Sequence, residues 1–243
     1  MLKIAAAQIE VTDNPDKNFD KIIQYIKKAS LKKVKIVCFP ETCLIHNKDI
    51  KTLKNSERIF GVPKNSKNFS STFKKFPIKI YLEKIKRACK ENNIYCIFGS
   101  YKQIKNRIYN SAFFIDNRGK LVYTYNKVNL FKKEKKYNVK AGNKNNVIHT
   151  EFGKIGIIIC WDIAYPEYAK ELSRKGAWVV FCPSYIKNYG RELESYLQIP
   201  YVRAFENSCY FVSCDSANKE CAQYSIICSP SKIIAKIKNR EGM

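Results

Sequence analysis

The sequence reads as one layered α/β domain over residues 1–243. Three observations carry this: short apolar runs alternate with amphipathic helical stretches, turn signals join neighbouring runs as hairpins, and no linker, repeat or composition break divides the chain. With 243 residues and 45% hydrophobic content the chain can bury a sizeable core. Disorder, collagen and small disulfide scaffolds are excluded.

Leu2 to Ile9 is a short buried strand, and Asn14-Pro15 supplies an N-cap followed by a proline at the first helical position. Phe19, Ile22, Ile23, Ile26 and Ala29 follow at helical spacing. Lys27, Lys28, Lys32 and Lys33 load the C-terminal end, where positive charge suits the macrodipole. Val34 to Phe39 is the next strand. The polar stretch from His46 to Phe76 has no period, and a segment of that length reads as a lid or binding loop. Pro77 opens a second helix reaching about Asn92. Strands are expected at Ile94–Gly99, Ile108–Ile115 and Leu121–Tyr125, the last two joined by Asp116-Asn117-Arg118-Gly119. A Lys-rich loop covers Lys127 to Asn146. Two strands meet at Gly153, a short helix runs from Pro166 to Lys175 and stops at Gly176, and Ala177 to Cys182 is a strand. Gly190 to Asn207 is a helix bent by Pro200, and the tail (Cys209–Cys214, Tyr224–Cys228, Ile233–Ile237) is strand-like.

The chain carries 45 Lys+Arg against 21 Asp+Glu, a formal net charge of +24. A polyanionic partner is one reading of that excess. Only eight of the basic residues are Arg, the lysines are spread over every segment, and no glycine-rich or aromatic RNA motif appears, so a nucleic-acid-binding role is the less favoured alternative. No apolar run approaches a membrane span, and the start (Met1 to Glu10) is interrupted too soon for a signal peptide, so a cytoplasmic protein without membrane partners is expected. Ten cysteines include no Cys-x-x-Cys, and metal-ligand spacing is absent. They read as reduced, mostly buried thiols, with no metal or cofactor.

Three segments interrupt this pattern. Phe39-Pro40-Glu41 sets a carboxylate just past a strand, Tyr125-Asn126-Lys127-Val128 sets an ammonium past another, and Ile157-Ile158-Ile159-Cys160-Trp161-Asp162 ends an apolar run in a thiol before a helix. Strand ends facing helix starts are where α/β sheets hold reacting groups. A thiol attacks only as thiolate and needs a base. The two histidines, His46 and His149, read as structural or solvent-facing, so the base falls to a carboxylate: a desolvated Glu41 would take the proton, and Lys127 would stabilise the thiolate and the oxyanion.

Those three segments, in that order, resemble the signatures of the nitrilase superfamily of carbon–nitrogen hydrolases. The similarity extends to Ala7-Gln8, Tyr165-Pro166-Glu167, Gly176-Ala177, Cys182-Pro183-Ser184 and Val202-Arg203-Ala204-Phe205-Glu206-Asn207. The resemblance implies a four-layer αββα sandwich with Glu41 as general base, Lys127 as oxyanion stabiliser, Cys160 as nucleophile attacking an amide through a thioester, and the backbone N–H of Trp161 as second oxyanion donor. It also implies a second carboxylate at Glu134 and no cofactor. Trp161 and Tyr185 are expected to line the pocket. Departures are Asn129 where His is common, Ala141 where Pro often precedes the Gly, Ala164 where many amidases have Arg, and no Gly ahead of Ser225.

Asn129-Leu130-Phe131 and Lys140-Ala141-Gly142-Asn143 are most similar to the ω-amidase-type branch, which implies release of ammonia from a small linear amide. An N-carbamoyl-amine hydrolase, with Glu134 and Tyr137 in view, is the alternative. A cationic pocket wall would suit a dicarboxylate and an acidic one an amine. The resemblance also implies at least a homodimer, with the bent helix and the tail at its interface.

Overall fold

The computed structural model describes residues 2–46, 78–104, 107–143, 146–187 and 192–243. Most of the expected loop from His46 to Phe76 and the helix-opening Pro77 lie outside the described residues.

Two sheets face each other. The first has strand order β1 (Ile4–Ala6), β2 (Ile36–Cys38), β3 (Tyr95–Ile104), β4 (Arg107–Ile115), β5 (Leu121–Asn126). β1, β2 and β3 run parallel, and β3–β4–β5 is an antiparallel meander. The second has order β11 (Ile233–Lys238), β10 (Tyr224–Cys228), β9 (Tyr210–Cys214), β8 (Val179–Pro183), β7 (Gly153–Ile157), β6 (Ile148–Thr150), with β7, β8 and β9 parallel and antiparallel strands outside them.

Period-two alternation sorts the side chains into layers. On the outer face of the first sheet, Val37, Cys96, Phe98 and Phe113 pack on α1 (Pro15–Leu31) and α2 (Ile78–Glu91) through Ile22, Ile26 and Ile85. Between the sheets, Ile36, Cys38, Ile97, Phe114 and Tyr125 meet Ile155, Ile157, Phe181 and Val212. On the far side, Val180, Cys182 and Phe211 pack on α4 (Pro166–Arg174) and α5 (Glu192–Glu206) through Leu172 and Ala204. The architecture is the expected αββα sandwich.

Local signals explain the element ends. The Asn14 side chain accepts from the N–H groups of Asp16 and Lys17 and so caps α1, as expected. Gly119 takes φ +79° in the β4–β5 turn and donates to the Asp116 carbonyl. One expectation needs correction. The Lys-rich loop contains a helix, α3 (Lys132–Lys136), which has no apolar period to announce it; Glu134 organises its start by accepting from the Phe131 N–H at 2.9 Å. Of the two readings left open for His46, the structural one fits: it is buried, with its ring 4.4 Å from that of Tyr185. His149 is exposed on β6.

Candidate active site

The alternation that builds the inter-sheet core also delivers the functional groups. Tyr123 and Tyr125 face the second sheet, so the next inward position, just past β5, is Lys127. On β4 the inward series Phe114, Ala112 continues to Asn110, and on β3 the inward Ile97 is followed by Gly99 and Tyr101. On the facing sheet Ile155, Ile157 and Ile159 point inward and the chain then turns at Cys160, at φ +43°. That left-handed conformation costs a residue with a Cβ on the order of 1 kcal/mol. It opens a 3-10 turn (Cys160–Ala164) at the site.

Asp162 locks this turn to the strand that carries the lysine. Its Oδ2 accepts from Ile159 N (3.0 Å) and Tyr125 OH (2.8 Å), and its Oδ1 from Asn129 N (2.7 Å) and Asn129 Nδ2 (3.1 Å). Asn129, a departure from the expected His, thereby helps fix Cys160 relative to Lys127. Glu41 arrives on the turn after β2, where Gly99 makes room: a Cβ there would lie 2.4 Å from Thr42 N and 2.8 Å from Glu41 Cα. The Gly142 N–H donates to the Lys127 carbonyl at 2.8 Å, and a Cβ on Gly142 would sit 2.1 Å from the Asn126 carbonyl oxygen.

The result is a buried charge cluster. Lys127 Nζ is 2.7 Å from Glu41 Oε1 and 2.9 Å from Glu134 Oε2, with its side chain only 2% exposed. Asn110 Nδ2 donates to Glu41 Oε1 (2.6 Å) and Glu134 Oε1 (2.7 Å). Glu41 and the backbone N–H of Tyr185 both act on the Cys160 thiol, the carboxylate charge favouring its protonated form and the N–H opposing this. Burial works against the Lys127 ammonium, but Glu41 and Glu134 outweigh it and hold it protonated well above its usual range. Burial pushes Glu41 up, Lys127 opposes this and the Glu134 charge adds to it. The Cys160 thiol is also raised, by burial and by the Glu41 charge, so it keeps its proton until an acceptor takes it.

A cavity of about 410 Å³ has Cys160 in its wall. All six sequence-derived residues, Glu41, Lys127, Glu134, Cys160, Trp161 and Tyr185, line it. Trp161 packs edge-on to Phe131 (5.4 Å) and parallel to Tyr196 (6.1 Å), whose hydroxyl donates to the Cys160 carbonyl at 3.1 Å. Tyr185 is held by its hydroxyl on Glu220 Oε1 at 2.9 Å. Sequence reasoning missed Tyr101, Lys133, Lys187 and Tyr196 in the wall and Asn110 behind it. Asn110 had a signal: a polar residue at an inward position of an otherwise apolar strand.

Among the described residues no group of three or more His, Cys, Asp and Glu side chains could hold a metal, and no helix is long and apolar enough to cross a membrane. All ten cysteines are free thiols.

The family model described as carbon–nitrogen hydrolase matches residues 3–242. The deaminated glutathione amidase of Dictyostelium discoideum is 29% identical over 226 residues, covering 87% of this chain and 72% of that protein. The omega-amidase of Xenopus tropicalis is 25% identical over 254 residues, covering 98% and 85%. Among solved structures, a nitrilase-superfamily member of branch 10 from Saccharomyces cerevisiae superposes with a TM-score of 0.82 at 24% identity, covering 99% of this chain and 87% of that one.

Proposed function

The chain belongs to the carbon–nitrogen hydrolase family, and on that premise we propose that it is a cysteine-dependent, ω-amidase-like enzyme that hydrolyses a small linear amide bearing a negative charge. The observation that carries this is the buried Glu41–Lys127–Glu134 cluster lining one cavity together with Cys160.

Glu41 takes the Cys160 proton as the sulfur attacks the amide carbon. The carbonyl oxygen becomes an oxyanion, held by Lys127 Nζ and by the Trp161 N–H, which lies in the first turn of the 3-10 segment and so has no partner within it. Collapse breaks the C–N bond, and the leaving nitrogen receives the proton from Glu41 and departs as ammonia. Glu41, again ionised, deprotonates a water that attacks the thioester, and the thiol is regenerated with the carboxylic acid. In the resting site the Glu41 and Glu134 carboxylates hold Lys127 in its charged form.

Substrate charge is read from the wall. The lining acids, Glu41 and Glu134, are both engaged by Lys127, whereas Lys133 and Lys187 add positive charge among Phe131, Ala164, Ile186 and Leu193. An amide with a carboxylate at its far end fits this wall better than a carbamoyl amine, whose cation Lys133 and Lys187 would repel. Similarity to relatives named omega-amidase, deaminated glutathione amidase and 2-oxoglutaramate amidase supports the same choice.

The ten free thiols fit a reducing, cytoplasmic setting. A homodimer is supported by the apolar surface of α5 (Val202, and Phe205 at 69% exposure) and the start of β11 (Ile233, Ile234), which the Tyr201 hydroxyl joins by donating to the Ser231 carbonyl at 3.1 Å. The deciding experiment measures ammonia release from α-ketoglutaramate, N-carbamoylputrescine and simple nitriles. Release from the first alone is expected; release from none would overturn the substrate assignment.

A further inference from the structure

Asn110 lies outside the cavity wall, yet its side chain touches both carboxylates of the charge cluster. It sits on the central part of the first sheet, paired across to Tyr101 on one side while its carbonyl accepts from Lys127 N at 2.9 Å on the other. Its backbone is therefore fixed on both flanks. The amide nitrogen has two hydrogens, and the two contacts, 2.6 Å to Glu41 Oε1 and 2.7 Å to Glu134 Oε1, use one each. A flipped amide would set its oxygen against two carboxylate oxygens, so the orientation is fixed by charge.

The other end of the side chain shows what this arrangement costs. Asn110 is 1% exposed, and among the described residues its Oδ1 has no hydrogen-bond partner. Buried amide oxygens are normally satisfied, and an asparagine kept only for stability would be expected to bond at both ends. Here one end is left unbonded while the other serves two anions.

The distribution of donors then separates the two glutamates. Glu134 receives three donors, from Asn110, Lys127 and the Phe131 N–H. Glu41 receives Asn110 and Lys127 on the same oxygen, Oε1, which leaves Oε2 without either donor. We propose that Asn110 is a positioning residue that clamps both carboxylates, fixing Glu41 by its Oε1 so that Oε2 turns toward Cys160 to take the thiol proton. This rests on the reading of the cluster as a Glu–Lys–Cys hydrolase site. The other titratable groups facing the pair are Lys127, Tyr101, Tyr196, Cys182 and Asp215.

Losing the amide donor raises the proton affinity of Glu41, which then becomes ionised only at higher pH. The test compares wild type with Asn110→Ala and the isosteric Asn110→Asp in two assays. One is the pH profile of kcat/KM for ammonia release. The other is the pH profile of stoichiometric iodoacetamide alkylation at Cys160, followed by peptide mass spectrometry, which needs no substrate. In both assays the acid limb should move up by about one pH unit, with kcat falling about 100-fold. If no amide is hydrolysed by wild type but the alkylation limb still moves, the substrate reading fails and the role of Asn110 stands. A folded Asn110→Ala or Asn110→Asp protein whose alkylation limb coincides with wild type overturns it, as does loss of the native circular dichroism spectrum in both variants, which would make Asn110 structural.

Discussion

Gly99→Ala tests how tightly the fold must hold Glu41. The backbone at Gly99 is compatible with alanine, so the perturbation is a single methyl group. That methyl would meet only main-chain atoms: Thr42 N at 2.4 Å, Pro40 O at 2.7 Å and Glu41 Cα at 2.8 Å. Restoring an ordinary contact of about 3.5 Å requires the 40–42 turn to retreat by roughly 1 Å. A retreat of that size takes Glu41 Oε1 from 2.7 Å to beyond hydrogen-bond reach of Lys127 Nζ. Misplacement of about 1 Å costs on the order of 100-fold in rate, or about 2.7 kcal/mol of transition-state stabilisation. Overpacking adds about 1–3 kcal/mol of lost stability, which lowers Tm by several degrees. The assay is kcat for ammonia release beside a thermal melt. A variant with kcat within three-fold of wild type would refute the claim that Gly99 exists to seat Glu41.

Three further outcomes follow from the same geometry. Because burial and the Glu134 charge hold Glu41 above the ordinary carboxylate range, the acid limb of kcat/KM should lie above about pH 4.3, and Glu134→Gln should move it down by removing that charge, while an unmoved limb would separate the two carboxylates electrostatically. Lys133→Gln and Lys187→Gln should each raise KM for an anionic amide about 3- to 10-fold with little change in kcat and no effect on a neutral amide, measured by steady-state kinetics at low salt; equal losses for both substrates would remove the cationic wall from the account. Phe205→Glu, at the exposed apolar face of α5, should convert a dimer to a monomer in light scattering, and a wild-type monomer at micromolar concentration would contradict the assigned interface.

The sequence carried the reactive groups well because they break a strand pattern: a carboxylate after Val37-Cys38-Phe39, a lysine after Tyr125, and a thiol after three isoleucines. Strand alternation places Lys127 in the structure and fixes the layers, so the fold and the meeting of Glu41, Lys127 and Cys160 at one cavity rest on local signals. Strand ends were less legible. Val34 to Phe39 pairs only over Ile36–Cys38, since pairing depends on neighbours that a run of apolar residues does not specify. The α3 helix was hidden in Lys132-Lys133-Glu134-Lys135-Lys136, where a tertiary contact rather than an apolar face sets the conformation. Local sequence left His46 as either structural or solvent-facing because the ring packed on it belongs to Tyr185, 139 positions along the chain. Lys133, Lys187 and Tyr196 join one wall from three segments, and no spacing rule connects them.

Electrostatics also reassigns the +24 charge. Lys127 is the lysine whose charge the proposed mechanism uses, Lys133 and Lys187 face the cavity, and exposed lysines elsewhere form short-range pairs such as Lys175 with Glu171. A positive field of this size would speed the arrival of an anionic amide, an effect that added salt reduces.

The central claim is that Cys160 forms a thioester with its proton taken by Glu41. Acid quenching of the enzyme during turnover of an amide substrate, followed by peptide mass spectrometry, tests it directly. An acyl adduct on the Cys160 peptide is expected in wild type and, longer-lived, in Glu41→Gln if attack still occurs, with none in Cys160→Ala. Ammonia release that continues in a folded Cys160→Ala protein, or an acyl adduct on another residue, would contradict the account.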